Sequence, residues 1–269
     1  MTVPQVKDIL TALDRIAPFA LAESWDNSGL QAGDPSWAVH RVLVALDVTA
    51  DAMAAAAEKE ADLLITHHPL VMRPEKSVDF SRMPGRVVYR SARDRIAVVA
   101  AHTNLDKARD GLNDYFAQIL DIACTGPLSA DSDGSEAAGI GRIGTLKQAT
   151  SLKGLAQDIK RRLGIPGVRV IGALDHTISR VALCTGSGGS LTDQFLASPA
   201  EAYITGDLKY HEARDIETRG RAAVDVGHFA SEHIVVDLLT DRLGQALEGQ
   251  GYTLEIYGYK QEKDPFRII

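Results

Sequence analysis

Cysteine is scarce in this chain of 269 residues, in which Cys124 and Cys184 are the only two. Two cysteines without a Cys-x-x-Cys spacing cannot form a disulfide framework, so we expect a reducing, cytoplasmic setting. The first residues lack the cationic and apolar stretches of a signal peptide, and no apolar run approaches the ~20 residues of a bilayer span. We therefore expect neither secretion nor a membrane partner.

An excess of positive charge is also missing. The formal net charge is −7, and we find no lysine and arginine cluster that is interleaved with aromatic residues. This composition offers no general attraction to phosphate backbones, so nucleic acid is not expected as a partner. What the chain does have is 45% hydrophobic and 24% charged residues. Such values are typical of a well-buried protein, and the length suffices for one large domain or two ordinary ones.

Apolar runs alternate with amphipathic stretches along the chain. Strand-like runs at 41–48, 62–66 and 96–101 are separated by helical patterns at about 50–60 and 84–94. Near-continuous apolar strands joined by helical crossovers favour an α/β protein with mixed, largely parallel sheets that are covered on both faces.

Turn-forming residues interrupt this alternation between about 125 and 138, which predicts a linker or an exposed loop. Beyond it, strands are predicted near 139–146, 168–172, 180–185, 202–205 and 222–226. Helices are predicted at 151–163, 190–197, 208–219 and about 229–247, before a final strand at 252–257.

Two adjacent histidines, His67 and His68, follow one of the predicted strands. Neighbouring side chains on a regular strand point to opposite faces, so both can reach one cleft only if the strand ends there, which Pro69 favours. Open α/β sheets bind their ligands at the carboxyl ends of the strands. The pair is therefore a candidate for metal binding, and a chance pair of surface histidines is the alternative.

His102 and Asp106 follow the third strand in the same way. Sheet topology would bring them to the edge that carries the histidine pair. Asp106 is a candidate ligand, although a turn or a helix cap would explain it equally well. His102 is either a ligand or a residue that orients one.

His228 and Glu232 are four residues apart, which would place an imidazole and a carboxylate on one helix face. The alternative is an ordinary helix start with solvated polar residues. The three segments together supply enough imidazoles and carboxylates for two neighbouring cations. The sequence therefore predicts a dinuclear metal site.

Five segments carry a resemblance to a known family: WDNSGLQAG at 25–33, ITHHP at 65–69, HTNLD at 102–106, YITGD at 203–207 and GHFASE at 227–232. This set, in this order and over nearly the whole chain, resembles the motifs of the GTP cyclohydrolase 1 type 2 homologues. These proteins are also called NGG-interacting-factor-like, and they are dinuclear-metal proteins.

The resemblance implies a two-domain α/β fold, with a metal-binding domain at 1–125 plus 227–269 and a second α/β domain at 126–226 inserted into it. It also implies a ring-shaped homohexamer. Carried over residue by residue, the metal ligands are those that match the family motifs, with His102 near the metal pair: His67, His68, Asp106, His228 and Glu232.

The activity that the resemblance implies is hydrolysis, in which metal-bound hydroxide attacks a purine ring or a related substrate, with His102 or Glu232 moving protons. A different metal-dependent amidohydrolase or phosphoesterase activity fits the residues equally well. The substrate would be a small molecule, with a nucleotide as one candidate, and the cofactor two divalent ions per subunit. Zinc, manganese, iron, cobalt and nickel all suit such ligands. The alternative is a metal-binding, metal-delivery or regulatory protein that uses the same site without turnover.

Three further segments have competing interpretations. The glycine-rich turn at 186–190 could hold a phosphate on its backbone amides, but a structural turn is at least as well supported. Asp26 or Asn27 could contact substrate, although both are ordinary turn residues. Asp207 is interpreted as a helix N-cap.

Overall fold

The computed structural model describes residues 2–130 and 138–267. In chain order the helices are α1 (Val6–Ile16), α2 (Ala50–Glu58), α3 (Gly85–Asp94), α4 (Thr103–Lys107), α5 (Leu112–Ile119), α6 (Leu152–Leu163), α7 (Thr192–Ala197), α8 (Tyr210–Thr218), α9 (His228–Glu232) and α10 (Val235–Leu247). The strands are β1 (Gly29–Ala32), β2 (Arg41–Ala45), β3 (Leu63–Thr66), β4 (Ala97–Ala100), β5 (Ile122–Ala130), β6 (Gly139–Ser151), β7 (Arg169–Ile171), β8 (Thr177–Ser187), β9 (Ala202–Gly206), β10 (Ala222–Asp225) and β11 (Glu255–Gly258).

The chain forms two compact units, and each is made of two segments of the sequence. The first unit comprises Met1–Leu105 and Val235–Glu262, and the second comprises Asp106–Ile234 and Lys263–Ile269. The sequence-based domain boundaries, near residues 125 and 227, describe a different partition and stay a prediction.

The first unit contains a five-stranded sheet in the order β1-β4-β3-β2-β11. Strands β11, β2, β3 and β4 run parallel, and β1 is antiparallel to β4. Every residue of β3 and β4 is buried, because helices cover this part of the sheet. Leu64 and Val98 of the sheet, for example, share a core with Met53 of α2 and Val87 of α3.

The second unit contains a six-stranded sheet in the order β5-β6-β8-β9-β10-β7. Its centre is parallel, since β9 pairs in parallel with both β8 and β10, while the outer pairs are antiparallel. Helix α6 illustrates how the sequence fixes an element: Ser151 accepts a hydrogen bond from the Gly154 amide at 3.1 Å, and Gly164 ends the helix at φ 66°.

These two mixed sheets with their helices confirm the predicted α/β class. Two strands were missed, and both lie at sheet edges. Residues 122–130, at the start of the predicted linker, form β5, and its Pro127 is tolerated because an edge strand can lack a donor on its open side. β1 lies in a segment that was interpreted as a loop. The predicted long helix after residue 228 is instead two helices, α9 and α10.

No helix in the described parts of the chain is both long and apolar enough to cross a membrane.

Replacement of glycine by alanine should have opposite effects on stability at two positions of the first unit, Gly244 and Gly33. Gly244 lies inside α10, and a Cβ added there would have open space around it. We predict that Gly244→Ala stabilises the protein by about 1 kcal/mol, because glycine is a poor helix former. At Gly33, φ is +110° and a Cβ would lie 2.8 Å from the Ala97 Cβ. Gly33→Ala should destabilise by about 1–3 kcal/mol. Chemical denaturation of both variants checks this, and equal effects would contradict it.

Candidate metal centre

Three histidines gather at one end of the sheet in the first unit. His67 and His68 follow β3, and His102 follows β4. The two strands are parallel neighbours, with Thr66 opposite Ala100, so their carboxyl ends lie side by side. Ring centroids are 5.1 Å apart for His67 and His68, 5.1 Å for His67 and His102, and 5.6 Å for His68 and His102.

The ligand atoms of these three histidines are close enough to share a metal environment. One ring nitrogen from each lies within 4.8 Å of the others. His67 is fully buried, whereas His68 is half-buried. Strand β3 ends at Thr66, whose hydroxyl donates a hydrogen bond to the His68 carbonyl at 2.8 Å, and this turn lets consecutive side chains meet on one side.

Each of these imidazoles is oriented through its Nδ1 atom. Nδ1 of His67 lies 2.8 Å from the Ala101 carbonyl, Nδ1 of His68 lies 2.8 Å from Asp47 Oδ1, and Nδ1 of His102 lies 2.8 Å from Asp26 Oδ1. A carbonyl or carboxylate oxygen can only accept, so Nδ1 carries the proton in each pair. The Nε2 lone pair is then the one available to a metal.

Asp26 is the most fully engaged of these acceptors. Its side chain is completely buried, and it accepts hydrogen bonds from His102, from the backbone and hydroxyl of Thr103, and from the Ser28 hydroxyl at 2.8 Å. Burial raises the pKa of this carboxyl, but the hydrogen bonds from His102, Thr103 and Ser28 outweigh it and hold the pKa of Asp26 well below its usual range.

Sequence reasoning missed the orienting roles of Asp26 and Asp47. Asp26 was considered as a substrate contact or a turn residue, and its bonds to His102 and Thr103 instead commit it to the protein. Asp47 had a signal that could have found it. It lies two residues beyond the end of β2, the strand next to β3, so it belongs to the same sheet edge as the histidines.

The second unit places His228 and Glu232 on α9, as their spacing predicts. His228 Nε2 lies 2.8 Å from Glu232 Oε2. Gly227 turns the chain into this helix with φ 85°. Nδ1 of His228 lies 2.8 Å from Asp207 Oδ2, so this imidazole is oriented in the same way as the other three.

Asp207 was interpreted as a helix N-cap, and this is wrong. Helix α8 begins at Tyr210, with Lys209 in the capping position. The carboxylate of Asp207 faces His228 instead, because β9 and β10 are parallel neighbours and the two residues follow their adjacent ends.

Helix α9 lies tightly against the carboxyl end of β8. The Gly186 amide donates to the Ser231 hydroxyl at 2.9 Å, and a Cβ on Gly186 would lie 2.0 Å from Glu232 Oε1. A Cβ on Gly189 would lie 2.5 Å from Glu212 Oε2. The negative charge of Glu212 beside this glycine-rich turn would repel a phosphate. The turn at 186–190 is therefore better explained as a structural turn than as a phosphate-binding site.

Asp106 lies in α4, at the start of the second unit, and is half-buried. Its carbonyl accepts a hydrogen bond from the Asn113 side chain at 3.0 Å. Burial first, and then the nearby carboxylates of Asp106 and Glu232, raise the pKa of the Cys184 thiol. The two carboxylates therefore lie around the same buried thiol, which stays neutral.

The donor set fits a divalent metal. Imidazole and carboxylate together suit first-row ions such as zinc, manganese or iron. Ligand atoms about 2.0–2.2 Å from one ion stand about 3 Å apart when they subtend a right angle. The separation of 2.8 Å between His228 Nε2 and Glu232 Oε2 agrees with that value. The protein is thus an α/β protein with histidine and glutamate groups that could hold a metal.

Comparison with known proteins gives the family. The Duf34/NIF3 (NGG1p interacting factor 3) family profile matches residues 4–265. The GTP cyclohydrolase 1 type 2 homolog of Streptococcus pneumoniae is 36% identical, over 97% of this chain and 98% of its own. A Helicobacter pylori protein named GTP cyclohydrolase 1 type 2 is 32% identical, over 98% and 99%. The crystal structure of the Staphylococcus aureus hypothetical protein SA1388 has a TM-score of 0.91 at 28% identity, over 100% of both chains.

The chain belongs to the Duf34/NIF3 family, and the resemblance noted in its motifs is confirmed.

The buried acceptor Asp26 predicts a pH-dependent stability. Its pKa is lower in the folded protein than the unfolded value of about 3.9, so its stabilising effect is complete above about pH 4 and is lost as the pH falls further. Asp26→Asn should destabilise by about 2 kcal/mol at pH 7 and by much less at pH 3. Urea denaturation at both pH values measures this.

Asp34→Asn is the matched control, because the hydrogen bonds of neighbouring Ser36 lower the pKa of the Asp34 carboxyl in the same direction but at the exposed surface, where a much smaller loss of stability is expected. A loss of stability in Asp26→Asn that is the same at pH 7 and pH 3 would contradict the role of its charge.

Proposed function

We propose that this protein binds two divalent metal ions and uses them to hydrolyse a small molecule that contains a purine or a related ring. The observation that carries the proposal is the shared orientation of four histidines, His67, His68, His102 and His228, in which an oxygen acceptor lies 2.8 Å from Nδ1. Metal-binding histidines in proteins commonly have this arrangement.

The proposed ligands of the metal pair are five residues: His67, His68, Asp106, His228 and Glu232. Two of them, His228 and Glu232, already lie together, with His228 Nε2 2.8 Å from Glu232 Oε2. His67 is fully buried and its Nδ1 lies 2.8 Å from the Ala101 carbonyl, so the proposed metal would be bound through Nε2.

Two divalent ions held by these residues would lower the pKa of a bound water towards neutrality and would polarise the centre under attack. The protein then has to hold the ions, orient the substrate and move protons. We assign proton transfer to His102 and Glu232.

His102 suits proton transfer because a carboxylate stands behind it. With Asp26 Oδ1 2.8 Å from Nδ1, a proton taken up at Nε2 makes an imidazolium that the charge of Asp26 stabilises. Glu232 is almost fully buried, with one carboxylate oxygen directed at His228. Its carboxylate would both bind metal and accept a proton from a neighbouring water.

The names of the relatives support the substrate class. The Helicobacter pylori relative is named GTP cyclohydrolase 1 type 2, and the Streptococcus pneumoniae relative is named a homolog of that enzyme. On that basis we infer a purine nucleotide as the substrate and ring hydrolysis as the reaction.

We also propose that the chain assembles as a homohexamer in the cytoplasm. Sedimentation at micromolar concentration should give about six times the subunit mass of 28.9 kDa. A monomer under metal-replete conditions would rule out the hexamer.

Four variants separate metal binding from proton transfer. His67→Ala and Glu232→Gln should each lower the bound metal below the two ions per chain of the unaltered protein, measured by elemental analysis, and should abolish turnover of GTP. His102→Gln should keep the metal and lower kcat by about 10²–10⁴-fold, because it removes only the proton acceptor. His40→Ala is the control, since His40 is exposed and paired with Asp62.

Each outcome has a distinct meaning. Metal that is retained in His67→Ala and Glu232→Gln would refute the proposed ligands. Two tightly bound ions without turnover of GTP, other nucleotides, phosphoesters or cyclic amides would replace the hydrolase with the metal-delivery or regulatory protein.

A further inference from the structure

Trp25 is exposed although it adjoins the most tightly bonded residue of the first unit. Its side chain is 59% accessible, while the neighbouring Asp26 side chain is completely buried. The indole stands edge-on to His102, with ring centroids 6.1 Å apart and an interplanar angle of 76°. Tryptophan is enriched at binding surfaces because its ring combines a large apolar face with a polar N–H group.

The backbone around Trp25 is held on both sides. The Glu23 amide donates to the Thr103 hydroxyl at 2.9 Å, and the Asp26 amide donates to the Glu23 carbonyl at 2.9 Å. The Asp26 carboxylate then binds His102. The indole is therefore presented by a fixed segment, and a ligand that covers it would immobilise little additional chain.

The polar neighbours of Trp25 are already committed to the protein. The Asp26 carboxylate accepts hydrogen bonds from His102 and Thr103. The side-chain amide of Asn27 donates to the Val71 carbonyl at 2.7 Å. Asp26 or Asn27 was one interpretation of the substrate contact in this loop, with ordinary turn residues as the alternative. Because both side chains are bonded within the protein, exposed Trp25 is the better candidate for contact with a ligand.

The other tryptophan, Trp37, packs against neighbouring residues of the protein on its ring face. Trp37 is half-buried, and the guanidinium of Arg95 lies over its ring at 4.9 Å from the centroid. A Cβ on Gly33 would lie 3.3 Å from the same ring. Among the residues that the structure describes, Trp25 has one aromatic contact, the T-shaped contact with the His102 ring.

We propose that Trp25 is the stacking surface for the planar heteroaromatic ring of the substrate and places that ring beside His102. The inference rests on the proposed function, because the ring belongs to the molecule that is hydrolysed. Every purine has a π-face that an indole can cover, and apolar contact with that face adds to affinity without requiring hydrogen bonds. Trp25 would thus select for an aromatic ring, while the polar cluster acts on it.

The test uses the two tryptophans as separate reporters, since the chain contains only these two. In Trp37→Phe, Trp25 is the one remaining indole, and guanosine should quench its fluorescence saturably whereas ribose should not. In Trp25→Phe, Trp37 remains, and its fluorescence should change only through light that guanosine absorbs. Both titrations are made on metal-replete protein.

Affinity provides the second readout. By calorimetry, Trp25→Leu should bind guanosine roughly 5- to 100-fold more weakly than the unaltered protein, as expected for the loss of one base–aromatic stack. Trp25→Phe keeps an aromatic face and should recover most of that loss. Equal affinity in all three proteins, or no saturable quenching of Trp25 by guanosine, would overturn the proposal.

The result is separable from the proposed function because binding is measured without turnover. Quenching of Trp25 by guanosine in a protein that hydrolyses no nucleotide would uphold the stacking surface and refute the hydrolase. If Trp25→Leu hydrolyses GTP as fast as the unaltered protein, the hydrolase is upheld and the stacking surface is refuted. If Trp25→Leu does not fold, the quenching of Trp25 by guanosine in Trp37→Phe still tests the stacking surface.

Discussion

The candidate site depends on hydrogen bonds between neighbouring strand ends. His67 follows β3 and binds the carbonyl of Ala101 beyond β4, and His68 binds Asp47 beyond β2. In the second unit, His228 beyond β10 binds Asp207 beyond β9. Each bond fixes the proton on Nδ1, so that a metal would be bound through Nε2 of that histidine. The parallel register of adjacent strands is what makes these bonds possible.

This dependence explains why the surrounding backbone has so little freedom. Glycine stands where a side chain would collide with the carboxylate of Glu232, as at Gly186, and where the chain must turn sharply, as at Gly227. Buried Asp26 fixes the loop that carries exposed Trp25. The polar groups are therefore placed by packing and by backbone pairing as much as by their own interactions.

The histidines were predictable from sequence because they follow apolar strands at whose ends ligands commonly bind. Their acceptors were harder to predict. Asp26 and Asp207 look like ordinary turn residues, and only the folded loop shows which nitrogen each one faces. The strands β1 and β5 were missed because an edge strand buries few side chains and tolerates Gly126 and Pro127, so the alternating pattern is weak.

The most direct test is anomalous X-ray diffraction from crystals of the metal-loaded protein. The account predicts two metal peaks, bound through Nε2 of His67, His68 and His228, while Nδ1 of each stays on its oxygen acceptor. Metal bound through Nδ1, or no metal at these histidines, would contradict it.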